Sequence, residues 1–189
     1  YSLDSWFQRT LPWYFYRVFD DGTVSDGSAC GNDIASERAM CSKYILESVL
    51  YWADEYHIDG FRFDLMGLID VDLMNKIRKE LDIRYGKGEK IIYGEPWSAT
   101  DTAIEYGKKL ADKADIALLD ENIGVFCDNT RDVIKGSSLR LKEVGFINGG
   151  KNKEDEILAS VGAWCNPYYN KEFKDVKSPS QIVTYISSH

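Results

Sequence analysis

Gly60-Phe61-Arg62-Phe63-Asp64-Leu65-Met66-Gly67 alternates apolar and charged residues and closes on Arg-x-Asp. A period of two predicts a strand, so Arg62 and Asp64 share one face. A cation beside a carboxylate favours the ionised form. A second strand-like run, Ile91-Ile92-Tyr93-Gly94-Glu95, delivers another carboxylate later in the chain. Two acids on successive strand ends are what glycosidic bond cleavage needs.

Around these two runs the chain alternates helix and strand signals. Residues 1–35 read as an irregular loop, with turns at Asp20-Asp21-Gly22-Thr23 and Asp26-Gly27-Ser28. From Ser36 a helix is predicted, with Met40, Tyr44, Ile45, Val49, Trp52, Ala53 and Tyr56 at three- and four-residue steps. Asn32, Asp33 or Ser36 would cap it, with Glu37 in the first turn. Strands are expected over 58–64, 90–94, 115–119 and 181–188, and helices over 71–84, 101–113 and 122–135. Such repetition predicts an α/β fold with a parallel sheet and covering helices. Parallel sheets place chemistry at strand C-terminal ends, where Asp64, Glu95 and His189 all fall. A complete (β/α)8 TIM barrel takes roughly 200 residues or more. Four strands in 189 residues therefore read as a partial (β/α)8 barrel. Residues 1–189 are expected to form one incomplete catalytic domain, truncated at both ends.

Bulk properties narrow the partners. A net charge of −8 argues against nucleic acid and anionic membrane. Apolar runs are too short to span a bilayer. Cys30, Cys41, Cys127 and Cys165 are widely spaced and read as buried or free thiols rather than zinc ligands. Aromatic residues make up 13% of the chain, and their faces suit sugar rings, although a core role is the commoner one. No cofactor or metal site is expected. Asp20, Asp21 and Asp26 could serve calcium, but without a twelve-residue calcium-loop pattern a solvated acidic loop is preferred. The compartment is not fixed by these features; a secreted or cell-surface setting is slightly favoured over the cytoplasm.

Neighbouring strands lie about 4.8 Å apart, so carboxylates on adjacent strand ends reach the spacing of a retaining mechanism. Asp64 beside Arg62 suits a nucleophile. Glu95, within Tyr93-Gly94-Glu95-Pro96-Trp97, is flanked by rings whose desolvation would favour a general acid that later acts as base. A structural ion pair with Arg62 is the competing account. The strand-end placement, the second acid and the histidine tip the balance to catalysis.

These segments resemble the alpha-amylase superfamily, glycoside hydrolase family 13. Gly60–Asp64 is similar to its second signature, Tyr93–Trp97 to its third, and Tyr185-Ile186-Ser187-Ser188-His189 to the start of its fourth. The resemblance implies Asp64 as nucleophile, Glu95 as acid/base, Arg62 as the nucleophile's partner and His189 as a substrate hydroxyl contact. Within the superfamily the likeness is to the type I pullulanase group. It extends over Glu55–Gly67, Gly31-Asn32-Asp33-Ile34-Ala35-Ser36-Glu37-Arg38, Trp13–Arg17 and Gly94–Trp97. It implies retaining hydrolysis of alpha-1,6 branch linkages in pullulan, glycogen or starch-type glucans, with an alpha-glucan or branched maltooligosaccharide as partner. Alpha-amylases usually carry Lys-His where this chain has Gly67-Leu68, which favours a debranching subsite. Trp97 and Asn32 are further candidates for substrate contact, and Tyr14 and Tyr16 for lining the cleft. His57, before the strand, reads as structural. The family's first signature would precede Tyr1 and an aspartate would follow His189, so the chain by itself is expected to be nearly inactive. The alternatives are an isoamylase-like or amylase-like hydrolase and a non-catalytic glucan-binding barrel relic.

Overall fold

The computed structural model describes residues 4–138, 140, 142–165 and 176–187. Four strands form one parallel sheet in the order β1 (Gly60–Phe63), β2 (Ile91–Gly94), β3 (Ile123–Cys127) and β4 (Ile182–Thr184). Sequential order with parallel pairing is the arrangement of a (β/α)8 barrel wall, so the expected fold class holds. Phe63 pairs with Gly94, Gly94 with Val125, and Val125 with Ile182. Helices α2 (Ala39–Tyr56) and α3 (Val71–Tyr85) cover one face of the sheet. Ile92, Ile123, Val125, Cys127 and Ile182 meet Leu46, Val49, Leu50, Ala53, Met74, Ile77 and Leu81 there. Burial raises the Cys41 thiol to about 12, with the Glu37 charge acting in the same direction. Burial also raises the Cys127 thiol, so both behave as core residues.

Helix α3 begins where Asp70 caps the Leu73 N–H and ends at Gly86, whose φ of 106° needs a glycine. Helix α2 starts later than the sequence suggests. Arg38 stands at its N-cap without a side-chain cap, so Asn32, Asp33 and Ser36 do not cap it. Its covered stripe is Cys41, Leu46, Val49, Leu50 and Ala53. Met40, Tyr44, Trp52 and Tyr56, expected on that stripe, are exposed. The helix is apolar on two sides, and periodicity does not say which one meets the sheet. His57 ends α2 in the left-handed region, φ 54°, at the N-terminal end of β1. It is exposed there.

Three expected elements differ. Residues 101–113 form no helix. Gly107 takes φ 80°, and the segment instead bonds the start of α3 through Val71 N–H to Lys109 O and Ala111 N–H to Ile69 O. Residues 115–119 are not a strand. Ile116–Leu118 is a 3₁₀ turn that buries Ile116 and Leu119, three residues apart, on one side. Residues 122–135 split into β3 and α4 (Asp128–Lys135), because the apolar run 123–127 takes the place beside β2. The early loop contains a short helix, α1 (Trp6–Thr10), and antiparallel bridges Tyr16–Ile34 and Val18–Val24. A further helix, α5 (Glu154–Val161), packs on α4.

Candidate active site

Asp64 and Glu95 each stand one residue past the last ladder pair, Phe63 with Gly94. The Glu95 N–H donates to Phe63 O at 3.2 Å, which continues the ladder to that point. The two acids are thus register partners on adjacent strands about 4.8 Å apart. Arg62, on the same face as Asp64, bridges them. Its Nη1 donates to Asp64 Oδ1 at 2.8 Å and its Nη2 to Glu95 Oε1 at 2.8 Å. Burial disfavours the Arg62 charge, but the Asp64 hydrogen bond and both carboxylate charges outweigh it and hold its pKa above the ordinary arginine value.

The acids differ in surroundings. Asp64 keeps 75% of its side-chain surface exposed, whereas Glu95 keeps 13%. Glu95 Oε2 also accepts the Leu65 N–H at 2.9 Å. Leu65 can aim that N–H because it adopts the left-handed region, φ 44° and ψ 48°. That conformation is strained for a branched residue, and such strain gathers at functional sites. Ring-flanked desolvation was the expectation for Glu95. The side chain is largely withdrawn from water, and donors meet both its oxygens.

The turn after Asp64 fits against the turn after Glu95. The Gly67 N–H donates to Glu95 O at 2.7 Å. A Cβ on residue 67 would lie 2.5 Å from Trp97 N and 2.6 Å from Trp97 O. This close approach excludes every side chain, so the amylase-type lysine has no room here. Gly67→Ala is expected to cost about 1–3 kcal/mol through overpacking against backbone that cannot rotate away. Thermal unfolding of the variant checks this, and an unchanged midpoint would count against it. Leu68 is buried rather than open to a ligand, and its carbonyl accepts from Arg17.

Arg17 and Asp33 anchor the early loop beneath the site. Arg17 is fully buried and pairs with Glu37, which is equally buried, at 2.7 Å. It also donates to Thr102 Oγ1 and Ser36 Oγ. Asp33 accepts from Ser25, Gly27, Ser28 and Thr102. Burial opposes its charge, but those four donors prevail and hold it below the usual carboxylate range.

The other sequence candidates are scattered. Trp97 is half-buried, two residues past Glu95, with its backbone against Gly67. Asn32 is 7% exposed, which leaves little of it for a ligand. Tyr16 is buried and bonds Ser5, whereas Tyr14 is half-buried and its hydroxyl accepts the Met40 N–H. His189 lies outside the described residues. Asp21 and Asp26 accept from their own loop. Among the described residues no three His, Cys, Asp or Glu side chains converge to hold a metal. A cavity of about 1040 Å³ opens past the end of β3, between α4, residues 142–144 and 150–153, and Trp164. Arg62, Asp64 and Glu95 lie outside its lining. Sequence reasoning missed Phe126, whose ring lies 5.7 Å from the Arg62 guanidinium, because residues 122–135 read as helix. The run Ile123-Gly124-Val125-Phe126-Cys127, rich in β-branched and aromatic residues, was the available strand signal.

The chain is similar to known proteins in both sequence and fold. The chain is 35% identical to the pullulanase of Bacillus subtilis (strain 168) over 184 residues, covering 97% of this chain and 24% of that protein. The chain is homologous to the pullulanases over this region. The pullulanase of Paenibacillus barengoltzii, solved with maltohexaose and alpha-cyclodextrin, superposes with a TM-score of 0.87 at 38% identity. That match covers 97% of this chain and 28% of that one. The pullulanase of Anoxybacillus sp. LM18-11, solved with maltotriose, gives a TM-score of 0.86 at 35% identity, covering 97% and 24%. The chain thus spans about a quarter of the length of the pullulanases it matches. No family model matches it. No helix among the described residues is long and apolar enough to cross a membrane.

Proposed function

We propose that this chain carries the reacting carboxylates of a retaining glycoside hydrolase that cleaves alpha-1,6 branch linkages in pullulan, glycogen or starch-type glucans. The observation that carries the reading is the placement of Asp64 and Glu95 as register partners one step past the sheet, joined by Arg62. The homology to pullulanases supports the linkage, and the maltooligosaccharides bound by similar structures support an alpha-glucan partner.

Asp64, exposed and held at one oxygen, attacks the anomeric carbon as the glycosidic C–O bond breaks. Glu95, protonated in that step, gives its proton to the leaving oxygen. Donors meet both Glu95 oxygens here, so the side chain takes up a proton and turns from Arg62 or Leu65 first. Once ionised, it accepts a proton from the water that attacks the same carbon and releases Asp64, and configuration is retained. Arg62 stays charged throughout and balances Asp64 as its charge is lost to the covalent bond and restored. Trp97 stacks on a sugar ring and His189 contacts a hydroxyl in this reading.

Reducing-sugar release from pullulan, with amylose as control, tests the assignment on the full-length protein that carries this chain. Activity on pullulan is expected. Activity on amylose alone would move the reading to an amylase-like enzyme. Tight maltooligosaccharide binding without turnover of either polymer would favour a non-catalytic binding barrel.

A further inference from the structure

The geometry points to Phe126 as a positioning residue that holds Arg62 in its bridge between Asp64 and Glu95; this rests on the catalytic reading above. The two carboxylates occupy N–H edges of the guanidinium. Its flat face remains, and a polar neighbour there would compete for the same donors. An aromatic face supports the cation without taking an N–H. Phe126 supplies that face at 5.7 Å, within the range of such contacts.

Phe126 is itself braced on both sides. Tyr93 meets it edge-on at 5.4 Å and 76°, and Tyr185 at 5.1 Å and 68°. Tyr185 is held in turn by Arg131, which lies 5.6 Å from its ring and donates to its hydroxyl at 3.0 Å. Asp132 pairs with Arg131 at 2.6 Å. Tyr93, Phe126 and Tyr185 come from three successive strands or strand ends, on the face away from α2 and α3. Gly124, between Tyr93 and Val183, keeps this row closed. A Cβ there would sit 3.1 Å from Tyr93 Cβ and 3.1 Å from Val183 Cγ2. The row transmits order sideways across the sheet, from Arg131 to Arg62.

The test compares Phe126→Leu, which keeps the apolar bulk and loses the ring, with Phe126→Tyr, which keeps the ring, in the full-length protein. Phe126→Met replaces the leucine variant should that one not fold. The first readout is the NMR shift of the Arg62 side-chain protons. The ring-current displacement is expected in the native protein and in Phe126→Tyr, and lost in Phe126→Leu. The second is steady-state kinetics on pullulan. Phe126→Leu is expected to lower kcat about tenfold with KM within about twofold, and Phe126→Tyr to restore it. Unchanged Arg62 resonances in Phe126→Leu would overturn the proposal. So would equal kcat in the leucine and tyrosine variants per folded molecule. Absence of pullulan hydrolysis in every form would remove the debranching reading, and the resonance comparison alone would then decide whether Phe126 holds Arg62.

Discussion

Asp64→Asn lowers kcat on pullulan by roughly three to five powers of ten, while the protein stays folded. The amide keeps the volume of the carboxylate and can still accept from Arg62 Nη1. What it lacks is the nucleophilic oxygen that forms the covalent intermediate. Asp64 is 75% exposed, so the ion pair it loses contributes about 1 kcal/mol or less to stability. Initial rates and a melting curve on the same preparation separate the two effects. A rate near that of the native protein would sink Asp64 as nucleophile. Glu95→Gln is expected to cut kcat on a comparable scale, with a different signature. A substrate whose leaving group needs no proton should recover its first step, because the lost function is proton transfer. Equal losses on both kinds of substrate would argue against Glu95 as the acid.

Arg17→Met destabilises the protein by about 3–5 kcal/mol, the expected cost of stranding a buried charge. Arg17 and Glu37 are both fully buried and bonded through Nε and Nη2. The change leaves Glu37 without its counter-charge and takes a donor from Leu68 O, four residues past Asp64. Adding Glu37→Leu is expected to recover a large part of the loss, since a buried pair replaced by apolar residues is often near neutral. Urea unfolding of native, single and double variants measures the coupling. A loss under about 1 kcal/mol in the single variant would mean that Glu37 reaches water after all. The Leu68 carbonyl, left without the Arg17 donor, limits the recovery in the double variant.

Strands β1 and β2 were legible because alternation and β-branched content are local, and helix α3 because its apolar period runs unbroken to Gly86. Strand β3 was not. Ile123–Cys127 becomes a strand because β2 and β4 bond it on both sides, a contact the local pattern does not contain. Residues 101–113 carry helix-forming residues but give their hydrogen bonds to the start of α3. On α2 the aromatic stripe Tyr44, Trp52 and Tyr56 competes with the stripe that meets the sheet. Burial, which depends on partners elsewhere in the chain, decides between them.

By itself the sequence determined that Arg62 and Asp64 share a face, that a second acid follows at the next strand end, and that the sheet is parallel. Each is a consequence of residue period or element order along one stretch of chain. The tertiary structure alone decided that Asp64 stands in register with Glu95 and that one guanidinium holds both. It also decided that Leu65 turns its N–H to Glu95, and that Phe126 lies beneath Arg62. Those relations join residues far apart in the chain. Their geometry is set by strand register and by side chains competing for the same donors, which no local pattern encodes.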